Sequence, residues 1–446
     1  MCYLNKNETM FSVILFKHLG LKLPTITNSS MTRIALASFI GTAIEFYDFY
    51  IYGMAAAMVI GPVFFPDGSA ATQVLSAFLT FSVAFLTRPL GAMLFGHFGD
   101  RVGRKATLVS SLLVMGISTT LIGCLPGYGA IGVWAPVLLC LCRFGQGIGL
   151  GGEWGGAALF ATENAPKGQR GLYGMFPQLG PPVGFLLATA SFLLLAYFLS
   201  EQEFKAWGWR IPFLGSSVLV MIGLYIRLAL AETPVFAKVL QQNQRSTVPI
   251  KEILSSHLTP LLLGALAMVV CYALFYISTV FSLSYGTNTL NISRQYFLGM
   301  LSVAVIFMVI ATPLSAWAGD VYGRRPVLLI ACTAALLSGF ALEPMLTTGS
   351  PLVITAFLSI ELFLMGAIFA PMGALLPELF PAHLRYTGAG TAYNLGGILG
   401  ASFAPYIAQR LVSEGGLTWV GGYVSLAAVI SLLAIYLMRE LRDNSW

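Results

Sequence analysis

Charged side chains are scarce along this chain. Only 9% of its 446 residues are Asp, Glu, Lys or Arg, whereas a soluble domain carries about a quarter. Hydrophobic residues make up 57%, and the mean hydropathy is +0.81. Too little polar surface remains to cover a soluble core of this length, which excludes a water-soluble globular protein. The apolar environment that the sequence requires is a lipid bilayer.

Motifs for enzyme chemistry are also missing from the sequence. There is no Gly-x-x-x-x-Gly-Lys-Ser/Thr run for an ATPase, and neither His-Glu-x-x-His nor Gly-x-Ser-x-Gly occurs. The six cysteines have no framework spacing, and no basic–aromatic stripe suggests nucleic-acid binding. We therefore expect no enzymatic activity, no cofactor, no metal and no nucleic-acid partner.

Long apolar runs are what the sequence does contain. About 20 residues suffice to cross a bilayer as a helix, and the period-2 alternation of membrane β-strands is missing from these runs. Backbone amides inside lipid must be satisfied within their own segment, so the runs are predicted to be helices. The predicted fold class is all-α integral membrane, with spans at 34–61, 72–96, 107–125, 131–153, 173–200, 211–231, 258–285, 296–318, 327–345, 351–374, 387–411 and 417–438.

The loops between these spans differ in charge. Eighteen of the 24 Lys and Arg residues lie in the tails and in the loops on the side of the N-terminus, and four lie in the opposite loops. Cytoplasmic loops carry the excess of positive charge. Both termini are therefore predicted to lie in the cytoplasm, in a multi-pass protein of the cytoplasmic (inner) membrane.

The chain also repeats itself internally. The run 99–105 after the second span resembles 319–325 after the eighth, 220 residues later, and Glu163 and Arg170 recur as Glu378 and Arg385, 215 residues later. Two pairings at nearly one offset predict two six-helix bundles, a known transporter plan. The predicted domains are an N-terminal tail 1–33, bundles 34–231 and 258–439, a linker 232–257 and a C-terminal tail 440–446.

Both copies of these loop motifs suit a latch between the bundles. Their glycines permit close approach and positive φ, and an aspartate there can pair with guanidinium groups or accept hydrogen bonds from a helix N-terminus. The alternative is that the charges only set topology. The candidate latch residues are Gly96, Asp100, Arg101, Gly103, Arg104, Glu163, Arg170, Asp320, Gly323, Arg324, Glu378 and Arg385.

With these loops and five further segments, the sequence resembles the major facilitator superfamily. More narrowly, it is similar to the metabolite:proton symporters, whose members handle shikimate, α-ketoglutarate, citrate or proline and betaine. The likeness runs from about residue 33 to 440 and implies twelve helices in two bundles that work by alternating access. The five segments are GTAIEFYDFYIYG (41–53), RPLG (88–91), RFGQGIG (143–149), WGWRIPF (207–213) and ETPVF (232–236).

Glu45 and Asp48 lie near the middle of the first span. A charge at the bilayer centre costs about 2.5–3.5 kcal/mol on insertion scales, so such residues are functional candidates. Two neighbouring carboxylates in a low dielectric cannot both ionise cheaply, which suits a proton carrier. The resemblance implies that this pair lies in the translocation path. The alternative is a structural ion pair or a position at the cavity rim.

Two arginines are also predicted inside spans. Arg143, with Gln146 and Glu153 on the same helical face, resembles a superfamily motif linked to proton transfer. Arginine cannot release its proton, so Arg143 would modulate a carboxylate or bind an anionic substrate; the alternative is a permanent pair with Asp48. For Arg88, substrate anchoring and a structural role both remain open.

The remaining candidates for substrate binding are polar residues within spans, namely Tyr52, Tyr276, Glu361, Tyr393 and Asn394. The expected function is proton-coupled uptake of a small organic metabolite that bears a carboxylate, by a monomer. An exporter or exchanger is the alternative, because the run 180–184 partly resembles the antiporter motif of the superfamily. A transporter-like membrane sensor is a third reading.

Overall fold

The computed structural model describes residues 31–66, 70–101, 104–228 and 249–440. Side chains are not described at 31–35, 70, 71, 74, 100, 101, 104 and 105. Within these ranges the chain is helical, with no β-strand. The tail 1–30, the first part of the predicted linker (232–248) and residues 441–446 lie outside the described residues.

Twelve long helical segments account for most of the described chain. The first six are α1 (31–64, made of Met31–Ala55, the π-helical turn Ala56–Ile60 and Gly61–Phe64), α2 (Ala70–Arg101), α3 (Arg104–Cys124), α4 (Trp134–Glu163), α5 (170–198, made of Arg170–Gln178 and Gly180–Phe198) and α6 (Ile211–Leu228). The next three are α7 (258–288, made of Leu258–Ala267, Val269–Tyr276, the π-helical turn Ile277–Phe281 and Ser282–Asn288), α8 (Arg294–Tyr322) and α9 (Arg324–Leu346). The last three are α10 (Pro351–Glu378), α11 (385–415, made of Arg385–Gly397, the π-helical turn Ile398–Ser402 and Ala404–Gly415) and α12 (Leu417–Leu437). Short helices are formed by Tyr128–Ile131, Glu201–Ala206, Gly208–Arg210 and Pro249–Ser256.

The outer surface of these helices is apolar. Large hydrophobic side chains point outwards, with 73% of Ile330 and 80% of Leu352 exposed. An apolar surface of this extent marks contact with lipid. In the described ranges, eleven helices are long and apolar enough to cross a membrane; α11, which is interrupted near Phe403 and rich in glycine, is the twelfth segment of the fold.

The helices form two bundles with the same internal packing. In the first, α2 packs on α4 and α3 on α6; in the second, α8 packs on α10 and α9 on α12. The π-helical turn of α7 lies 221 residues after that of α1, which agrees with the offset of the loop motifs. Sequence repeat and structural repeat therefore coincide.

Several helices extend beyond their predicted ends. α4 continues to Glu163 and α10 to Glu378, past the predicted ends at 153 and 374. About 20 residues suffice to cross a bilayer, so the length of a span does not by itself fix where its helix ends. Arg227, counted above among the loop cations, lies inside α6 and is only 4% exposed. The last part of the predicted linker is the helix Pro249–Ser256.

One end of the molecule carries the loops α2–α3, α4–α5, α8–α9 and α10–α11, and we call it the motif face; the other end is the opposite face. The bundles touch through their backbones near the motif face. A Cβ on Gly373 would lie 2.5 Å from the carbonyl oxygen of Gly174, and one on Gly155 would lie 3.2 Å from Cα of Gly390. Glycine at these positions lets the two bundles close together.

Glycine also sets the distance between α9 and α12, which provides a test of the packing. A Cβ on Gly421 would overlap the carbonyl oxygen of Gly339, whereas a Cβ on Gly422 would meet open space. We expect Gly421→Ala to destabilise the fold by about 1–3 kcal/mol through overpacking. Gly422→Ala, the matched control, should be neutral or slightly stabilising. Thermal unfolding in detergent measures both, and equal melting temperatures would contradict this packing.

Candidate translocation site

The two carboxylates of α1 are buried inside the N-terminal bundle. Glu45 is 1% exposed and Asp48 is not exposed, and neither makes a hydrogen bond to the described residues. Oε1 of Glu45 lies 3.6 Å from Nη2 of Arg227 on α6. Asp48 lies near the hydroxyl groups of Thr119 on α3 and Ser216 on α6. The pair expected in the translocation path thus faces α3 and α6, within one bundle.

Arg143 on α4 is held by neutral groups. Its Nη1 donates to Oε1 of Gln146 at 2.5 Å and its Nη2 to the carbonyl oxygen of Phe81 at 3.1 Å. The guanidinium also lies 3.8 Å from the ring centroid of Tyr52, a cation–π geometry. A permanent ion pair with Asp48, the alternative considered from the sequence, is not what the structure shows.

Gln146 links Arg143 to the neighbourhood of Asp48. Its Nε2 donates to Oγ1 of Thr119 at 2.7 Å, and Thr119 lies beside Asp48. The side chains of α4, α3 and α1 therefore form one polar chain in the bundle interior, although Arg143 and Asp48 are not in direct contact.

Arg88 on α2 is a buried cation whose closest partners among the described residues are aromatic rings. It is fully buried, and none of its three guanidinium nitrogens has a hydrogen-bond partner among the described residues. The guanidinium lies 4.3 Å from the ring centroid of Phe49 and 4.1 Å from that of Phe85. Stacking on two rings stabilises the cation but leaves its donors available to a ligand.

Tyrosines of the C-terminal bundle surround Arg88. Tyr272, Tyr276 and Tyr393 are all within the electrostatic reach of its charge. Tyr276 packs edge-on against Phe85 with ring centroids 5.3 Å apart. Hydrogen-bond donors from both bundles, the guanidinium of Arg88 and these phenols, therefore lie near one another.

Two other predicted substrate residues have different surroundings. Asn394 on α11 donates through Nδ2 to the carbonyl oxygen of Gly151 on α4 at 3.0 Å, so its amide ties the two bundles together. Glu361 on α10 is 2% exposed, and Ser338 on α9 lies beside its carboxyl group. The structure therefore does not bring Glu361 together with Arg88.

A layer of side chains closes the space between the tyrosines and the motif face. Trp154 on α4 stacks on Tyr393, with ring centroids 4.0 Å apart and planes 2° from parallel. Nε1 of Trp154 donates to Oε1 of Gln178 at 2.8 Å, and Nε2 of Gln178 donates to the carbonyl oxygen of Phe369 on α10 at 2.7 Å. Sequence reasoning missed Trp154 and Gln178, since aromatic and amide residues are common in any bundle.

The opposite face is open in comparison. A cavity of about 510 Å³ lies between the bundles there. Below it, a small void is lined by Tyr50, Phe185 and Tyr276. The larger cavity thus lies on the opposite-face side of the site, and none of its lining residues is a candidate site residue. Residues around the larger cavity include Ala57, Phe192, Glu201, Asn288, Arg294 and Gln295.

The second copy of the loop motif joins the bundles at the motif face. Asp320 on α8 accepts hydrogen bonds from the backbone amides of Gly171 and Leu172, both 2.8 Å long, at the N-terminus of α5. Arg324 lies 3.5 Å from the same aspartate and 3.1 Å from Glu378. A carboxylate at a helix N-terminus is favourable both for hydrogen bonding and for the helix dipole.

The other candidate latch residues lie close to this face. Arg385 donates from Nε to the carbonyl oxygen of Phe380 at 3.1 Å, and Arg170 lies within the electrostatic reach of Glu378. Glu163 is the last residue of α4. Gly323, with φ of 99°, separates α8 from α9.

In the first copy of the motif, a Cβ on Gly96 would lie 2.8 Å from Oγ1 of Thr387 in the other bundle. Gly103 and the side chains of Asp100, Arg101 and Arg104 lie outside the described residues.

The most informative residue that the sequence did not reveal is Arg227. It forms an ion pair with Glu153 and lies near Glu45, between α1, α3 and α4. Its position beside a charged loop is typical of a topology-setting cation. Gly41 faces Arg227 and leaves room for its guanidinium, but the sequence alone does not show that the two positions face each other.

Comparisons with known proteins agree with this architecture. Residues 34–248 match the family Sugar (and other) transporter, and residues 287–446 match the Major Facilitator Superfamily. The chain is 51% identical over 422 residues to the inner membrane metabolite transport protein YhjE of Escherichia coli, covering 94% of this chain and 96% of YhjE. It is 38% identical to the shikimate transporter of the same organism, and the match covers 93% of this chain and 96% of that transporter.

Comparison with solved structures also indicates a major facilitator fold. The xylose transporter XylE from E. coli, solved in a partially occluded inward-open conformation, superposes with a TM-score of 0.73. The match covers 94% of this chain and all of XylE at 17% identity, so it shows the fold alone. The chain belongs to the major facilitator superfamily, among its metabolite transporters.

Proposed function

We propose that the protein takes up a small metabolite bearing a carboxylate, together with a proton, by alternating access. The observation that carries the substrate class is Arg88, whose buried guanidinium has no hydrogen-bond partner among the described residues. A buried charge without a partner is costly. A substrate carboxylate would supply the planar, bidentate partner that a guanidinium prefers.

The surroundings of Arg88 support this role. The cation comes from the N-terminal bundle, whereas Tyr272, Tyr276 and Tyr393 come from the C-terminal bundle. A substrate held by both bundles would be released when they separate on either side. The cavity at the opposite face and the Trp154–Tyr393 stack towards the motif face correspond to one of the two states that alternating access requires.

The orientation that we propose in the membrane is based on the charge distribution. With the cation-rich loops in the cytoplasm, the motif face would be cytoplasmic and the cavity would open to the outside of the inner membrane. Bundles 34–231 and 258–439 would move relative to each other about the linker 232–257. We propose that a monomer performs the cycle, since the site is formed within one chain.

For the proton, we propose the buried acids of the N-terminal bundle, namely Glu45, Asp48 and Glu153. Of these acids, Glu45 lies near the substrate candidate Arg88. Arg143 would influence Asp48 through Gln146 and Thr119. Proton and substrate would thus occupy neighbouring sites in one bundle.

The first prediction concerns the substrate. Arg88→Gln removes the proposed charge-assisted hydrogen bonds, which are worth about 1.5–3 kcal/mol, so apparent affinity should fall roughly 10- to 100-fold. Arg88→Lys should also be impaired, because a point charge does not replace the planar fork. The measurement is uptake by proteoliposomes of radiolabelled shikimate, proline and citrate, each tested separately.

Arg410→Gln is the control for this experiment, because Arg410 forms an exposed ion pair with Glu414. This variant should transport substrate as the wild type does. Normal uptake by Arg88→Gln would remove the basis for the substrate class. If substrate instead leaves preloaded vesicles in exchange for protons and no uptake occurs, the protein is an exporter.

The second prediction concerns coupling. Asp48→Asn cannot exchange a proton, so accumulation driven by a pH gradient should be lost, while exchange of labelled for unlabelled substrate should continue. Glu414→Gln serves as the control. Proton coupling is refuted if wild-type uptake ignores a collapsed proton gradient, and the assignment to Asp48 is refuted if Asp48→Asn accumulates substrate normally.

The third prediction concerns the latch, which we propose favours closure at the motif face. Asp320→Asn weakens two charge-assisted hydrogen bonds to backbone amides. The amide hydrogens of Gly171 and Leu172 should therefore exchange faster. Each bond is worth about 1.5 kcal/mol, which corresponds to roughly a tenfold increase in rate or more. Hydrogen–deuterium exchange with mass spectrometry of peptides covering 170–173 measures this. Glu414→Gln should leave the rate unchanged, and an unchanged rate in Asp320→Asn would contradict the latch.

A further inference from the structure

Arg227 lies at the centre of a buried ionic cluster in the N-terminal bundle. It forms a close ion pair with Glu153 on α4, and its Nη1 donates to Oε2 of the same residue at 2.7 Å. Nη1 also donates to the carbonyl oxygen of Leu108 at 2.8 Å. Oε2 of Glu153 further accepts a hydrogen bond of 3.0 Å from Oγ of Ser111. Both Nη nitrogens of Arg227 thus contact the carboxylate of Glu153, in a bidentate arrangement.

The first helix is shaped to admit this guanidinium. A Cβ on Gly41 would lie 2.5 Å from Nη2 and 3.1 Å from Nε of Arg227. Any larger residue at position 41 would push the guanidinium away. One turn further along α1, Glu45 reaches the same nitrogen, Nη2, at 3.6 Å. Glycine at 41 therefore allows one cation to contact two carboxylates on different helices.

The cluster divides the three buried acids of this bundle into two kinds. Glu153 and Glu45 contact a cation, whereas Asp48 lies near hydroxyl groups only, those of Thr119 and Ser216. An ionised carboxylate buried without a contacting cation is strongly disfavoured, and it takes up a proton instead. Of the three acids, Asp48 is therefore the one with no cation in contact, which favours its protonated form.

Other ionisable groups face this cluster from neighbouring elements. Tyr47 lies near Asp48, and its hydroxyl group contacts Ser191 on α5 at 3.3 Å. Arg88 and Tyr393 lie near Glu45, and Tyr386 on α11 lies near Arg227.

On α4, Arg143 is separated from Asp48 by Gln146 and Thr119. None of these groups places a cation in contact with Asp48, so the division between the three acids stands.

We infer that Arg227 is a positioning residue of the proton site: it holds Glu153 and Glu45 as carboxylates, so that Asp48 is the acid that binds and releases the proton. This inference rests on the proposed proton coupling. The step is an acid–base exchange in which Asp48 gains a proton from water on one side of the membrane and returns it to water on the other. Arg227 keeps its own proton throughout.

Infrared spectroscopy of the purified protein in detergent tests this assignment without any substrate, because a protonated buried carboxyl group has its own C=O band. Near neutral pH the wild type should show two such groups, Asp48 and Glu361, because Glu361 is likewise buried and contacts no cation among the described residues, and Asp48→Asn should remove one of the two. Arg227→Gln should add two protonated carboxyl groups per chain, since Glu153 and Glu45 both lose the cation that they contact. Adding Glu153→Gln to Arg227→Gln should remove one of the two added groups.

Two further variants keep the test decisive if Arg227→Gln does not fold. Arg227→Lys retains the charge and should preserve the wild-type spectrum. Gly41→Ala pushes the guanidinium from its position and should increase the protonated fraction of a further carboxyl group, whereas Gly215→Ala on α6, which faces open space, should not. A purely structural role for Arg227 would alter melting temperatures without changing the count of protonated carboxyl groups.

The outcomes separate the inference from the proposed function. An Asp48→Asn, Arg227→Gln or Gly41→Ala spectrum with the same number of protonated carboxyl groups as the wild type overturns the inference even if transport is proton-coupled. Uptake that ignores the proton gradient overturns the proposed function instead, whatever the infrared bands show.

Discussion

The burial of charge among lipid-facing helices is the constraint on which the rest of this structure depends. Each buried guanidinium needs a partner, because water does not reach it. Arg227 has two carboxylates, Arg324 also has two, and Arg143 has carbonyl oxygens, an amide and an aromatic ring. Arg88 alone of these four has neither an ion pair nor a hydrogen bond of normal geometry to the described residues, and it lies beside tyrosines of the other bundle. The position that the protein leaves unsatisfied is the position where a ligand would complete it.

Closure at the motif face combines close backbone contacts with a small number of polar contacts. Backbones meet at the glycine pairs Gly155–Gly390 and Gly174–Gly373, and a few hydrogen bonds, such as Gln178 to the carbonyl oxygen of Phe369, add direction. Polar contacts of this kind contribute about 1 kcal/mol each. A small number of them can hold one state and still be replaced by water when the bundles separate, as alternating access demands.

The fold was predictable to a greater extent than the site. Hydropathy and the loop repeat identify all twelve segments, including α11, whose glycines and polar residues weaken its signal. The partners of buried side chains depend on which helices face each other, and a single sequence does not contain that information. Asn394 looks like a residue of the cavity wall and instead ties α11 to the backbone of α4. Arg227 resembles a loop cation because it stands four turns into a short helix that ends at a charged linker, and only the packing of α1 against α6 reveals its role.

The first helix connects the two sites that a coupled transporter must link. Glu45 lies between Arg227 on one side and Arg88 on the other, and Asp48 follows one turn later. Beyond them, α1 contains the π-helical turn Ala56–Ile60, and α7 contains its counterpart Ile277–Phe281. Both turns border the cavities, through Ala57 in one and Thr279 in the other. Single π-helical turns frequently occur at functional sites. A change in α1 that moves Glu45 relative to Arg88 or Arg227 would alter the electrostatic environment of both arginines. Substrate binding at Arg88 and protonation in the bundle would then affect each other through this one helix.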